Sequence, residues 1–323
     1  MNASPRPLLV CAIFVATAVL IAASLVTGGG YAWSDVLAME GDGALVLAAS
    51  RVPRTLALLL SGAGLAVSGI LMQMIARNRF VEPSTAGTVE SAGLGILLTL
   101  LLMPGAPVVV RMLIAAMVAL AGSALFLMLL SRLPLGSALM VPLVGIMLGG
   151  IFDAVTSFLA YRFDLLQSIG AFGSGDFSIV LRGRYEFLWI IAALVAAAYA
   201  TAARFTILGM GEAVAIGVGL NYRRLVAFGL IIVSVVTAAV VVTVGAVPFV
   251  GLIVPNVVSL ILGDDLRRSL PIVATGGALL VLGSDVGGRL IIAPYEIPVG
   301  TIMGVIGSLG FLVLIFGRRG HAT

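Results

Sequence analysis

The sequence predicts an all-α, polytopic membrane protein of about ten transmembrane helices, and three observations carry that expectation. First, 61% of its 323 residues are hydrophobic and only 10% are charged, with a mean hydropathy of +1.23, whereas a soluble domain carries about a quarter of charged residues. No aqueous fold has an interior large enough for that share of apolar surface. Second, the apolar residues come in successive runs of about 20, the length of helix that crosses a hydrocarbon core. Third, all 18 basic residues are arginine, and they stand singly or in pairs at the ends of those runs. That placement reports membrane topology, so the net charge of +4 is no sign of a nucleic-acid partner.

Taken in order, helices are expected at about 8–27, 54–75, 86–103, 107–130, 138–161, 187–203, 225–244, 247–263, 270–290 and 298–316. The first run, Leu8 to Val26, follows Arg6 and resembles the front of a signal peptide, but it is longer than a signal core and is read as an uncleaved first helix. Ten spans place both termini on one side. With the N-terminus inside, the inner ends hold Arg6, Arg77, Arg79, Arg132, Arg204, Arg223, Arg224, Arg267, Arg268, Arg318 and Arg319 against Glu82, Glu90, Glu212, Asp264 and Asp265. This positive excess is the bias that cytoplasmic loops show. On the outer side the remaining arginines are balanced by Asp35, Glu40, Asp42, Asp164, Asp176, Glu186, Asp285 and Glu296. Residues 1–323 are expected to form one transmembrane domain with no separate soluble part.

Catalytic chemistry is missing. There is no G-x-x-x-x-G-K-[ST] loop to hold ATP, the lone His321 sits in the tail beside Arg318 and Arg319, and Cys11 lies inside the first apolar run. No nucleophile stands with a positioned base, so neither an enzyme nor a cofactor or metal site is expected. What the chain does offer is a solute path. The eighth helix contains Pro248, Gly251 and Pro255, followed by Asn256, and breaks at membrane depth are tolerated where protein or a water-filled cavity satisfies the freed backbone groups. Asp153 is the acid deepest in an apolar run, and Met147 on the same helix suits a bulky ligand. For each of these an ordinary packing or hydrogen-bonding role is the competing reading.

The longest inner connection, Arg204 to Arg224, is too polar and glycine-broken to span, yet it contains short helical pieces such as Glu212 to Ile216. Composition alone leaves a partner-binding surface and a lid on the headgroups equally open.

Three segments resemble the permease family that imports vitamin B12, haem and ferric siderophores within ABC transporters of type II architecture. The first is Arg51-Val52-Pro53-Arg54-Thr55-Leu56, continuing through Ser68-Gly69 and Gln73 to Arg77-Asn78. The second is Gly245 to Asn256 with Asp264, Asp265, Arg267 and Arg268 before Leu270-Pro271. The third is Asp285 to Arg289 with Glu296-Ile297-Pro298-Val299-Gly300. Two departures stand out: Arg79-Phe80-Val81-Glu82-Pro83-Ser84-Thr85-Ala86-Gly87-Thr88 follows Arg77-Asn78 where many members have Pro-Leu, and Asn256 follows Pro255 where the family often has His. The first departure resembles the ferric-siderophore branch, including permeases for catechol-type chelates.

The resemblance implies a bacterial inner-membrane protein with both termini cytoplasmic. Its implied partners are a second permease subunit, identical or related, two ATP-binding subunits, an external solute-binding protein and a ferric siderophore as cargo. It implies that residues of about 205–224 form the coupling segment against the ATPase, with Gly209, Glu212, Ala213, Gly217, Gly219, Arg223 and Arg224 in contact, and that Arg51, Arg54 and Arg289 dock the binding protein. The path would run along the subunit interface past Met147, Asp153, Pro248, Gly251, Pro255 and Asn256. Import of haem or vitamin B12 is the alternative within the family. An ion-coupled carrier working alone, or a membrane scaffold without transport, is the alternative outside it.

Overall fold

A computed structural model describes residues 7–27, 42–132, 140–292 and 295–317. Helix α1 is Pro7–Val26, α2 is Asp42–Val46, α3 is Val52–Ala76, α4 is Thr88–Leu102, α5 is Val108–Arg132, α6 is Met140–Arg162 and α7 is Leu166–Gly173. Then follow α8, Trp189–Ala200, α9, Ala202–Gly209, α10, Glu212–Gly217, α11, Tyr222–Val244, α12, Val250–Leu262, α13, Leu266–Ile291, and α14, Val299–Gly317. Among the described residues five helices are long and apolar enough to cross a bilayer, a bent pair makes a sixth span, and four shorter apolar helices complete ten candidates. Each corresponds to an apolar run of the sequence, because run length sets helix length in a bilayer.

Three elements differ from the sequence expectation. The second helix has a longer lead: α2 enters α3 through a π-helical turn at Leu47–Arg51, and the run Gly43–Ala76 reads as one span of 34 residues. The sixth is broken at Thr201, whose hydroxyl bonds back to the Ala197 carbonyl at 2.8 Å, and the chain turns 64° between Tyr185–Ala200 and α9. The eighth begins only at Val250. Gly245 and Phe249 both take positive φ, 90° and 66°, and Pro248 stands between them, so a helix cannot run through.

The core is built around α3, whose residues are mostly buried. It packs between α13, α11 and α12. Small residues make this possible, since in lipid helices associate by close backbone approach rather than by expelling water. A Cβ on Gly62 would fall on the Gly277 carbonyl of α13, and one on Gly69 would fall on the Gly251 carbonyl of α12. Hydroxyl pairs add local bonds, Ser24 to Thr55 at 2.8 Å between α1 and α3 and Thr88 to Ser123 at 2.7 Å between α4 and α5.

This packing predicts an asymmetry. Gly62→Ala forces two backbones apart and should cost about 1–3 kcal/mol, lowering the thermal midpoint of the detergent-solubilised protein. Gly304→Ala, where nothing lies within 4 Å of the added Cβ, should hold or raise it, because alanine is the better helix former by about 1 kcal/mol. Equal midpoints for the two variants would contradict the packing.

Candidate functional site

At one end of the bundle the three arginines singled out by sequence lie around the C-terminus of α1. The last carbonyls of a helix have no intrahelical donor, and here guanidinium groups supply one. Arg51 Nη1 donates to the Leu25 and Val26 carbonyls at 2.9 and 3.0 Å. Arg289 Nη1 donates to the Ser24 and Thr27 carbonyls at 3.1 and 2.6 Å. Its Nη2 reaches the Ser24 hydroxyl at 3.0 Å and Asp285 at 2.5 Å. Arg54 is shared between two carboxylates, Asp285 at 2.7 Å and Glu296 at 2.8 Å.

The three differ in access. Arg51 and Arg289 are 6% and 7% exposed, while the Arg54 side chain is 13% exposed and its partner Glu296 31%. The sequence marked Asp285 and Glu296 as outer acids within the third family-like segment, without assigning them a partner. The i,i+4 spacing of Asp285 and Arg289 could have been read as a helical ion pair, whereas the bond from Arg54 to Asp285 spans 231 residues and leaves no periodic signal.

Toward the other end, the broken helix α12 is stitched to the connection after α3. Pro255 has no N–H, so the Gly251 carbonyl four residues earlier loses its helical donor; the Gln73 side chain takes its place at 3.2 Å. Asn256 Nδ2 donates to the Leu252 and Arg79 carbonyls at 2.7 and 2.8 Å. Arg79 forms an ion pair with Asp264 just beyond α12. Gly251, Pro255 and Asn256 are all buried, so within this chain they serve the break itself, and Pro248 is half-buried beside them. The extended Gly245 to Pro248 stretch is satisfied in part by Ala246 N–H donating to the Phe172 carbonyl of α7 at 2.9 Å, as irregular backbone inside a membrane bundle requires.

Helix α6 presents most of its surface outward: Met147 is 65% exposed, and Ile151 and Phe158 follow it along the helix. Asp153 is exposed on this same helix, an ionisable group that lipid would not solvate.

Beyond the 64° bend, α9 lies inward and α10 outward. Gly209 faces the core, where a Cβ would press on Met74 Sδ at 2.6 Å. Gly211, at φ 114°, and Gly219, at φ 80°, turn the chain before and after α10 in the left-handed region that glycine tolerates. Glu212, Ala213, Gly217, Gly219, Arg223 and Arg224 are exposed, together with Met210, Val214, Ile216 and Val218. The Asn221 side chain caps α11 by accepting from the Arg224 N–H at 3.0 Å. The segment therefore offers an apolar surface, edged by charge, at the end of the bundle remote from Arg54.

Comparison with known proteins joins these features. Residues 11–317 match the model of the FecCD transport family. The chain is 45% identical over 288 residues to the petrobactin import system permease protein YclN of Bacillus subtilis, covering 89% of this chain and 91% of that one. It is 40% identical over 283 residues to the ferric-anguibactin transport system permease protein FatD of Vibrio anguillarum, covering 88% and 90%. In three dimensions it matches a solved structure described as an inward-facing metal-chelate type ABC transporter, with a TM-score of 0.79, 25% identity and coverage of 96% of this chain and 99% of that chain. A bundle of apolar spans with one helix broken inside it, matched to such relatives almost end to end, belongs to the FecCD transport family as the membrane-spanning permease component of an ABC importer.

Proposed function

We propose that this permease passes a ferric siderophore, of the catechol type, from an external binding protein across the bacterial inner membrane, with the energy supplied by ATP hydrolysed on two partner subunits. The observation that carries the reading is the pairing of surfaces at opposite ends of α3, a helix about 37 Å long at 1.5 Å per residue. One end gathers arginines and the other presents the exposed apolar turn of α10. Relatives named for petrobactin and anguibactin import support a siderophore as cargo. Asp153 and Met147 on the outward face of α6 favour a second permease subunit there and a path along that interface, since an exposed carboxylate at membrane depth needs protein or water beside it. On this reading both termini are cytoplasmic.

At the α10 end, the proposed partner is the ATPase. Apolar side chains exposed on a helix of six residues gain little from headgroups but fit a protein groove. At the arginine end, the proposed partner is the binding protein, met by Arg51, Arg54 and Arg289. Arg54 leads, because it is the most exposed of the three, and a guanidinium grips carboxylates through two bonds.

Three measurements test this. Proteoliposomes holding the permease, its ATPase and its binding protein should take up the ferric chelate only with ATP; uptake by this chain alone on a proton or sodium gradient would overturn the reading. For coupling, nothing lies within 4 Å of a Cβ at Gly217, so Gly217→Trp should insert and fold normally yet block ATPase association, because overpacking a tight contact costs about 1–3 kcal/mol. Normal association and uptake would refute the α10 contact. For docking, Arg54→Glu should weaken binding-protein affinity by about tenfold at low salt and less at high salt, as exposed charge pairs are screened over roughly 10 Å at 0.1 M. Unchanged affinity at both would remove Arg54 from the docking surface.

A further inference from the structure

The connection from Arg77 to Gly87 holds a carboxylate that the reading above does not use. Glu82 is 2% exposed. Its Oε1 accepts from the Phe249 N–H at 2.7 Å and from the Ser84 hydroxyl, and the N–H groups of Gly251 and Leu252 are directed at the same carboxylate. A Cβ at Gly251 would lie 3.1 Å from Glu82 Oε2. The Phe249 N–H precedes the helix and the Gly251 N–H lies in its first turn, where a helix leaves donors without intrahelical partners, while the Leu252 N–H also donates to the Phe249 carbonyl at 3.1 Å. A helix of 13 residues is about 20 Å long, short of a hydrocarbon core of about 30 Å. Its start is therefore within the bundle, where no bulk water can serve those donors.

The bond at Asn256 lies one end of this connection along α12 and the bond at Glu82 the other. Between Arg79, whose carbonyl accepts from Asn256, and Glu82, the chain runs beside α12 back to its first residue. Arg79 also holds Asp264, and two residues on, the Leu266 N–H that opens α13 donates to the Thr206 hydroxyl of α9 at 3.1 Å. A contiguous set of polar contacts thus joins α9 to the start of α12.

We propose that Glu82 is a positioning residue that fixes the start of the broken helix α12, so that α12 and the Arg79 to Glu82 connection move as one piece with the coupling segment. The second half of this statement rests on the coupling reading given above; the first half stands without it. Among the described residues no other side chain accepts from the Phe249 N–H, and the Phe249 conformation, φ 66°, is one that a non-glycine residue adopts only when its surroundings hold it there.

The test uses the assembled permease–ATPase complex in lipid and hydrogen–deuterium exchange of a peptide covering residues 247–254. In the parent this peptide should be as protected as the middle of α12, although it contains a helix start; rapid exchange there would overturn the proposal with no variant needed. Glu82→Gln keeps the shape and one acceptor but turns an amide N–H₂ toward backbone donors. Exchange in 247–254 should accelerate by about tenfold or more, the consequence of leaving buried donors unpaired, while a peptide over residues 225–240 is unchanged. Uptake per ATP hydrolysed should fall with it, and basal ATP hydrolysis should persist. Glu82→Asp, one methylene shorter, should recover protection only in part. If Glu82→Gln folds and exchanges like the parent, Glu82 does not hold α12. If exchange accelerates while uptake per ATP is retained, α12 is held by Glu82 but does not move with the coupling segment, a result independent of whether Gly217→Trp blocks the ATPase.

Discussion

Everything in this bundle depends on how closely other backbones can approach α3. Gly62 sits against Gly277 and Gly69 against Gly251 with no room for a single methyl group. In water, burying apolar area would drive such contacts, but in lipid the tails are as apolar as the side chains, and shape is what remains. The contact at Gly69 also sets where α12 lies. With the Gly251 backbone pressed on α3, Gln73, one turn further along α3, can reach the Gly251 carbonyl that Pro255 leaves without a donor. Close packing and the repair of a broken helix are thus one arrangement, built from residues on the same face of α3.

The arginines show how one side-chain type meets two demands. Arg51 and Arg289 complete the end of α1 by donating to its last carbonyls, which suits cations at a helix C-terminus. Among the described residues Arg54 is bonded to carboxylates and to no α1 carbonyl. It lies between a buried carboxylate and a half-exposed one, and its geometry differs from its neighbours for that reason. Lysine would be a poor substitute at all three, since a point charge cannot serve two acceptors in one plane.

The spans were legible in the sequence because a bilayer converts apolar length directly into helix length. Run ends at 27, 103, 130 and 161 lie within two residues of the ends of α1, α4, α5 and α6. The break in the eighth helix was legible in kind from Pro248 and Gly251, although its start at Val250 needed the left-handed Phe249, which no propensity announces. The bend at Thr201 carried no proline or glycine and was read through. The connection proposed as the coupling segment was legible as a glycine-broken stretch, but not that Gly209 turns inward while Gly217 stays open. Glu82 was seen as one of several inner acids and as part of the stretch that departs from Pro-Leu after Asn78, with no partner assigned. Its role depends on a bond to Phe249 across 167 residues, and a pairing of that kind has no trace in local pattern. The same holds for Gln73 and Gly251, 178 residues apart.

Those separations bear on how the chain is made. Helix α3 is synthesised early, yet the surfaces it is shaped for belong to α11, α12 and α13, and its tie to Asp285 closes a loop of 231 residues. A growing chain releases residues at about 5–20 per second, so α3 resides in the membrane for at least ten seconds or so with its glycines unmatched. Contacts so distant in sequence form late and slowly. During that interval the small-residue faces of α3 are open to the wrong helix, including one from another nascent chain, until the last third of the protein arrives.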